Sequence, residues 1–78
     1  MSKLTAQLKV MFGRSSVERA IALNGLRRLS HKERYEISEA GRIMRNIANP
    51  VERVKYCQSL KPETKENLIL SILNKVCT

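Results

Sequence analysis

Helix-start signals recur so closely along this chain that only short helices fit between them. Ser15-x-x-Glu18, Ser30-x-x-Glu33 and Asn49-Pro50-x-Glu52 each read as a capping box, and Lys61-Pro62-Glu63 puts proline at a first helical position. In a capping box the small polar side chain accepts from an orphan backbone N–H. The glutamate three residues on reaches back to the cap. No stretch sustains the apolar–polar alternation of a strand. The expected class is all-α.

Apolar spacing divides the chain into five helical segments. The first spans about Lys3 to Phe12, carries Leu4, Leu8, Met11 and Phe12 on one stripe, and stops at Gly13. The second starts after Ser15, turns Val17, Ala20 and Ile21 inward, and stops at Asn24-Gly25. Continued to Leu29, it would bring Arg28 onto its apolar face, which supports the break. The third, about His31 to Ala48, gathers Ile37, Ala40, Gly41, Met44, Ile47 and Ala48 on one narrow face. Ala40 and Gly41 are small enough there for another helix to approach closely. Asn49-Pro50 ends it, because the residue before proline is pushed out of the α region.

The fourth segment, about Pro50 to Ser59, has Val51, Val54 and Cys57 inward. The fifth, about Pro62 to Val76, is different in kind. Leu68, Ile69, Leu70, Ile72, Leu73, Val76 and Cys77 cover more than half of its circumference. A surface helix needs an apolar stripe of only about 100°. The last helix is therefore either the central helix of the domain or a self-association surface. The expected architecture is a single helical domain, residues 1–78, with four to five short helices packed around the apolar C-terminal helix.

Charge narrows the function classes. The chain carries 15 Lys and Arg against 7 acidic residues, all Glu, for a net charge of +8. With the glutamates committed to helix starts, most cations lack an obvious partner. That balance favours nucleic acid, an acidic protein face or anionic lipid, with simple solubility as the plainer explanation. Cys57 and Cys77 are too few for a disulfide framework and read as reduced thiols in a cytosolic protein. No stretch approaches the roughly 18 apolar residues of a membrane span, and no secretory signal opens the chain. Cytoplasmic localisation without integral membrane association is expected.

Catalysis has little to work with. His31 is the sole histidine and sits at a helix start beside Lys32. Cys57, Cys77 and His31 have no zinc-ligand spacing, and the isolated glycines at 13, 25 and 41 make no phosphate loop. Glu33, Glu36 and Glu39 lie close together but straddle a helix with interspersed Arg, have no metal-loop pattern, and read as a solvated acidic edge. No enzyme activity, metal or cofactor is expected.

The cations are more informative. On a wheel at about 100° per residue, Arg34, Tyr35, Ser38, Arg42 and Arg45 fall along one flank of the third helix, with Glu36 and Glu39 on the other. Glu39 and Arg42 make one well-placed i, i+3 pair. Guanidinium forks and hydroxyls suit phosphate oxygens. Arg27, Arg28 and Lys32 extend the flank. A helix-turn-helix is disfavoured, because Gly25 to Ser30 is longer than the usual turn of about 3–4 residues. Only Phe12, Tyr35 and Tyr56 could stack on bases, so duplex backbone contact is favoured over single-strand stacking. Arg27-Arg28-Leu29-Ser30 resembles a basophilic kinase site, against which Ser30 reads more simply as a cap.

In size, charge and cap-rich helices the chain resembles the small regulators carried by phages and plasmids, without a motif from which residue roles transfer. The leading expectation is a non-catalytic regulator contacting nucleic-acid backbone through Arg27, Arg28, Lys32, Arg34, Ser38, Arg42 and Arg45. Dimerisation through Leu68, Leu70, Leu73 and Cys77 would double the phosphate count. The alternative is an inhibitor or adaptor docking on a larger protein through the basic flank and the apolar last helix. A third possibility is an anionic membrane surface met by the first helix.

Overall fold

The computed structural model describes residues 3–25 and 27–77, and the side chains of all of these but Val76 and Cys77. It is all-α, with α1 at Lys3–Phe12, α2 at Arg14–Leu23, α3 at His31–Asn46, α4 at Pro50–Ser59 and α5 at Pro62–Cys77. The main contacts close a ring. α4 packs on α1, α1 on α2, α2 on α5, α5 on α3, and α3 back on α4. One core cluster fills the ring with Leu8, Phe12, Val17, Ala20, Ile37, Ala40, Cys57, Leu68, Ile69, Leu70 and Leu73.

The helix starts differ in kind. Ser30 and Glu33 form the full capping box: Ser30 Oγ accepts from the Glu33 amide at 3.2 Å, and Glu33 Oε1 accepts from the Ser30 amide at 3.1 Å. Ser30 thus acts as a cap. Asn49 Oδ1 accepts from the Val51 amide at 2.9 Å, while Glu52 lies 3.8 Å from Lys55 rather than closing a box. Lys61 opens α5, its carbonyl accepting from the Lys65 amide at 2.9 Å. Ser15 does not cap α2. Gly13 holds that position with φ 87° and ψ 147°, and Glu18 pairs with Arg14 at 3.1 Å.

Gly13 closes one helix and opens the next. Its amide donates to the Lys9 carbonyl, and its own carbonyl accepts from the Val17 amide. Nothing lies within 4 Å of an added Cβ there, so the requirement for glycine is conformational. That backbone region is open essentially to glycine alone. The turn falls before Ser15 can act, which puts Ser15 inside the helix.

Three inward expectations fail at helix edges. Ile21 is 45% exposed because Val17, Ala20 and the half-buried Leu23 set the buried face of α2. Val51 is 61% exposed at the first turn of α4, where Cys57 and Leu60 anchor the far end. Ala48 is exposed because α3 stops at Asn46, with Ile47 extended at ψ 111°. Asn49 must leave the helical region to cap α4 and precede Pro50, so the chain departs α3 early.

α5 contributes the most buried residues to the core, yet it is one member of the ring rather than a centre around which the others pack. Leu68, Ile69, Leu70 and Leu73 are all buried within the single chain, against α2 and α3. The expected association surface at Leu68, Leu70 and Leu73 is therefore spent on the core. The Cys77 side chain lies outside the described residues. The α1 face expected to meet a membrane is likewise inward, with Leu8 and Phe12 in the core.

Polar pins orient α5. Its buried Glu66 pairs with Arg19 of α2 at 3.2 Å. Buried Asn67 donates to Glu33 of α3 at 2.8 Å, and Thr64 donates to Glu36 at 3.3 Å. The carboxylates are thus used more for tertiary pins and ion pairs than for caps. At the far side, Arg53 donates to the Ile47 carbonyl at 2.8 Å and steadies the C-terminus of α3.

Cys57 is fully buried, its thiol 3.3 Å from Met44 Sδ, and burial pushes its pKa up despite nearby Arg53. A thiol so placed is inert. In a Cys77→Ser background, thiol-reagent labelling of the native protein is expected to be slow and to accelerate across the urea transition. Immediate native labelling would contradict the packing.

Candidate nucleic-acid interface

The charged stripe of α3 is narrower than the wheel suggested. Arg34, Ser38, Gly41 and Arg45, spaced i, i+4, i+7 and i+11, line one wall of an open groove of about 600 Å³. α5 supplies the opposite wall through Ser71, Ile72, Asn74 and Lys75, and Leu29 adds an apolar contact. Ile37, Met44 and Leu68 complete the lining, and among the described residues no carboxylate belongs to it. The groove therefore has an apolar base and a rim of three cations with two hydroxyls and an amide.

Gly41 has a different role from the one its size suggested. No atom lies within 4 Å of an added Cβ, so no helix approaches closely at this point. The missing side chain leaves room in the groove instead. Eleven residues separate Arg34 from Arg45, about 16 Å at about 1.5 Å per helical residue.

The remaining expected contacts divide. Arg28 and Lys32 are exposed and, like Arg34, have no ion-pair partner among the described residues. Arg45 Nε donates to the Gly41 carbonyl at 3.3 Å, which lays the side chain along its own helix. Arg42 lies off the groove and pairs with Glu39 at 2.8 Å, the i, i+3 pair expected from spacing. Arg27 is held by Glu33. Tyr35, 68% exposed, lines a separate groove with Tyr56, Glu36 and Glu39. The flank thus splits: Arg34, Ser38 and Arg45 face the groove, whereas Tyr35 and Arg42 do not.

Glu33 fastens the approach to this site. One carboxylate meets the Ser30 amide, Asn67 and Arg27, joining the 24–30 connection, α3 and α5. The Ser30 amide contributes most to holding its pKa below the ordinary 4.5, followed by Asn67, with Arg27 adding attraction. A lowered folded pKa stabilises the fold above the unfolded value, and that contribution is lost as pH falls through the folded value. Glu33→Gln is therefore expected to flatten the loss of stability as pH falls below the ordinary carboxylate value of 4.5. Chemical denaturation at several pH values measures this, and an unchanged acid limb would count against the clasp.

Sequence reasoning missed the α5 wall. Leu68, Ser71, Ile72 and Lys75 recur at i, i+3, i+4 and i+7, so Ser71 and Lys75 mark where the apolar arc of α5 meets solvent. That signal was legible, but only the packing of α5 against α3 assigns it to the same groove as Arg34. Comparison of the chain with known protein families, curated proteins and solved structures finds no match. Fold and site together define an all-α protein with a cation-rimmed groove in which the described residues place no carboxylate. No described helix is long and apolar enough to cross a membrane.

Proposed function

We propose that this protein is a small non-catalytic regulator that binds duplex nucleic-acid backbone along the α3–α5 groove. The carrying observation is that Arg34, Arg45 and Lys75 rim one groove whose lining, among the described residues, holds no carboxylate. On a chain of net charge +8 that concentrates positive potential along a defined line. Arg34 and Arg45 bracket a length that takes several phosphates at about 3.4 Å of axis per strand. Ser38, Ser71 and Asn74 supply single hydrogen bonds between the forks, and Arg28 and Lys32 extend the track. Such contacts position a duplex without reading its bases.

Fluorescence anisotropy with a mixed-sequence duplex at about 50 and 200 mM salt tests the reading. Micromolar affinity with a steep salt dependence is the expected result. Absence of binding at the lower salt would sink it.

The apolar base of the groove supports a second reading, an acidic segment of a larger protein seated between α3 and α5. Leu29, Met44 and Ile72, only partly buried, offer surface that phosphates cannot use. Affinity that persists at high salt, for a protein and not for a duplex, would favour it.

A further inference from the structure

A second groove, between α1 and α4, plays no part in the nucleic-acid reading. Gln7, Val10 and Met11 line one wall at i, i+3 and i+4, and Pro50, Arg53 and Val54 repeat that spacing on the other. Its volume is about 370 Å³. It shares no lining residue with the α3–α5 groove. Val10 on its wall is 67% exposed, and Val51, next to Pro50, is 61% exposed. Of these two, Val10 belongs to the groove itself, and a large apolar side chain left in water at a helix–helix contact asks for a cover. A concave channel between two helices receives the ridge of a third.

Charge selects the occupant. Among the described residues no carboxylate lines the groove, and Arg53 in its wall, which gives one N–H to the Ile47 carbonyl, has no ion-pair partner. Lys3, exposed, lies one turn before Gln7 on the same stripe of α1. The sequence carries no acid before Glu18. A second copy would set Arg53 and Lys3 near their own equivalents and oppose two chains of +8. A bilayer is flat where this surface is concave.

We propose that the α1–α4 groove docks an acidic amphipathic helix of a partner protein. Its apolar residues seat against Val10, Met11 and Val54, and its carboxylates face Arg53 and Lys3. With the α3–α5 groove left open, the chain joins two partners as an adaptor. The docking proposal stands independently of what the basic groove binds.

The probe is a labelled peptide of about 16 residues, long enough for a helix of several turns. It carries Leu at i, i+3, i+4 and i+7 with Glu on the flanks, and its control is a scramble of identical composition. The expected result is binding at least about tenfold tighter than the scramble, with amide shift changes at Gln7, Val10, Met11 and Val54. The exposed-site variant Val10→Ser, which leaves the core intact, should lose that preference and keep duplex binding unchanged. Equal binding of the scramble would overturn the proposal, as would shift changes confined to Arg34–Arg45. Sedimentation of the chain with acidic vesicles, abolished in the same variant, would transfer the groove to membranes. A concentration-dependent dimer abolished in that variant would assign it to a second copy.

Discussion

Ile69→Ala is expected to destabilise the protein by about 2–5 kcal/mol, the usual range for an aliphatic residue truncated in a close-packed core. Ile69 is fully buried on the helix that contributes the most buried residues to the cluster. A domain of this length has total stability of roughly 4–12 kcal/mol at about 0.05–0.15 kcal/mol per residue. One truncation therefore removes a large share of it. Urea denaturation should show a lower midpoint that does not change with protein concentration, because the cavity opens inside one chain. A midpoint that rises with concentration would mean that α5 is completed by a second copy. Ile21→Ala is the contrast. Ile21 has the same side chain and was expected to face inward, but at 45% exposure its truncation should cost about 1 kcal/mol or less.

Arg34→Ala/Arg45→Ala is expected to flatten the salt dependence of duplex binding by about two units, close to one for each phosphate that is no longer neutralised. The drop in affinity should be largest at low salt and similar for unrelated sequences, since these forks meet backbone. Arg42→Ala separates this site from the flank read off the wheel. Arg42 is turned to Glu39 and lies outside the groove, so its removal should change the slope much less. If Arg42→Ala matches the double variant, the phosphates follow the outer flank of α3 and the groove is not their track. Circular dichroism of each variant should stay native, because all three arginines are exposed.

The basic surface survives for a reason visible in the carboxylates. Glu33, Glu36 and Glu66 each hold a neighbouring helix or connection, and Glu18, Glu39 and Glu52 each meet one nearby cation. Surface pairs of the latter kind are worth little, about 0–1 kcal/mol. Their effect on function is distributive. They quench Arg14, Arg42 and Lys55 locally and leave the Arg34–Arg45 line uncompensated. Arg27, expected in the patch, is instead a structural contact that holds the connection before α3 against Glu33.

What the chain determined by itself is local. The starts of α3, α4 and α5 were legible because Ser30, Asn49-Pro50 and Lys61-Pro62 act on backbone groups within four residues. The all-α class, the break at Asn24-Gly25 and the inward stripe of α1 followed from the same short-range physics. Where two local signals competed, as Gly13 and Ser15 did for the start of α2, the backbone conformation that only glycine adopts prevailed. Tertiary packing decided everything that depends on which faces meet. It settled that Leu68, Ile69, Leu70 and Leu73 of the apolar arc of α5 are buried in the core, where α5 packs on α2 and α3. It separated Arg34, Ser38 and Arg45 from Tyr35 and Arg42, brought Ser71, Asn74 and Lys75 opposite them, and left Val10 and Val51 uncovered. A helical wheel orders side chains around one axis. The boundary between core, groove and solvent is drawn only by the neighbouring helices.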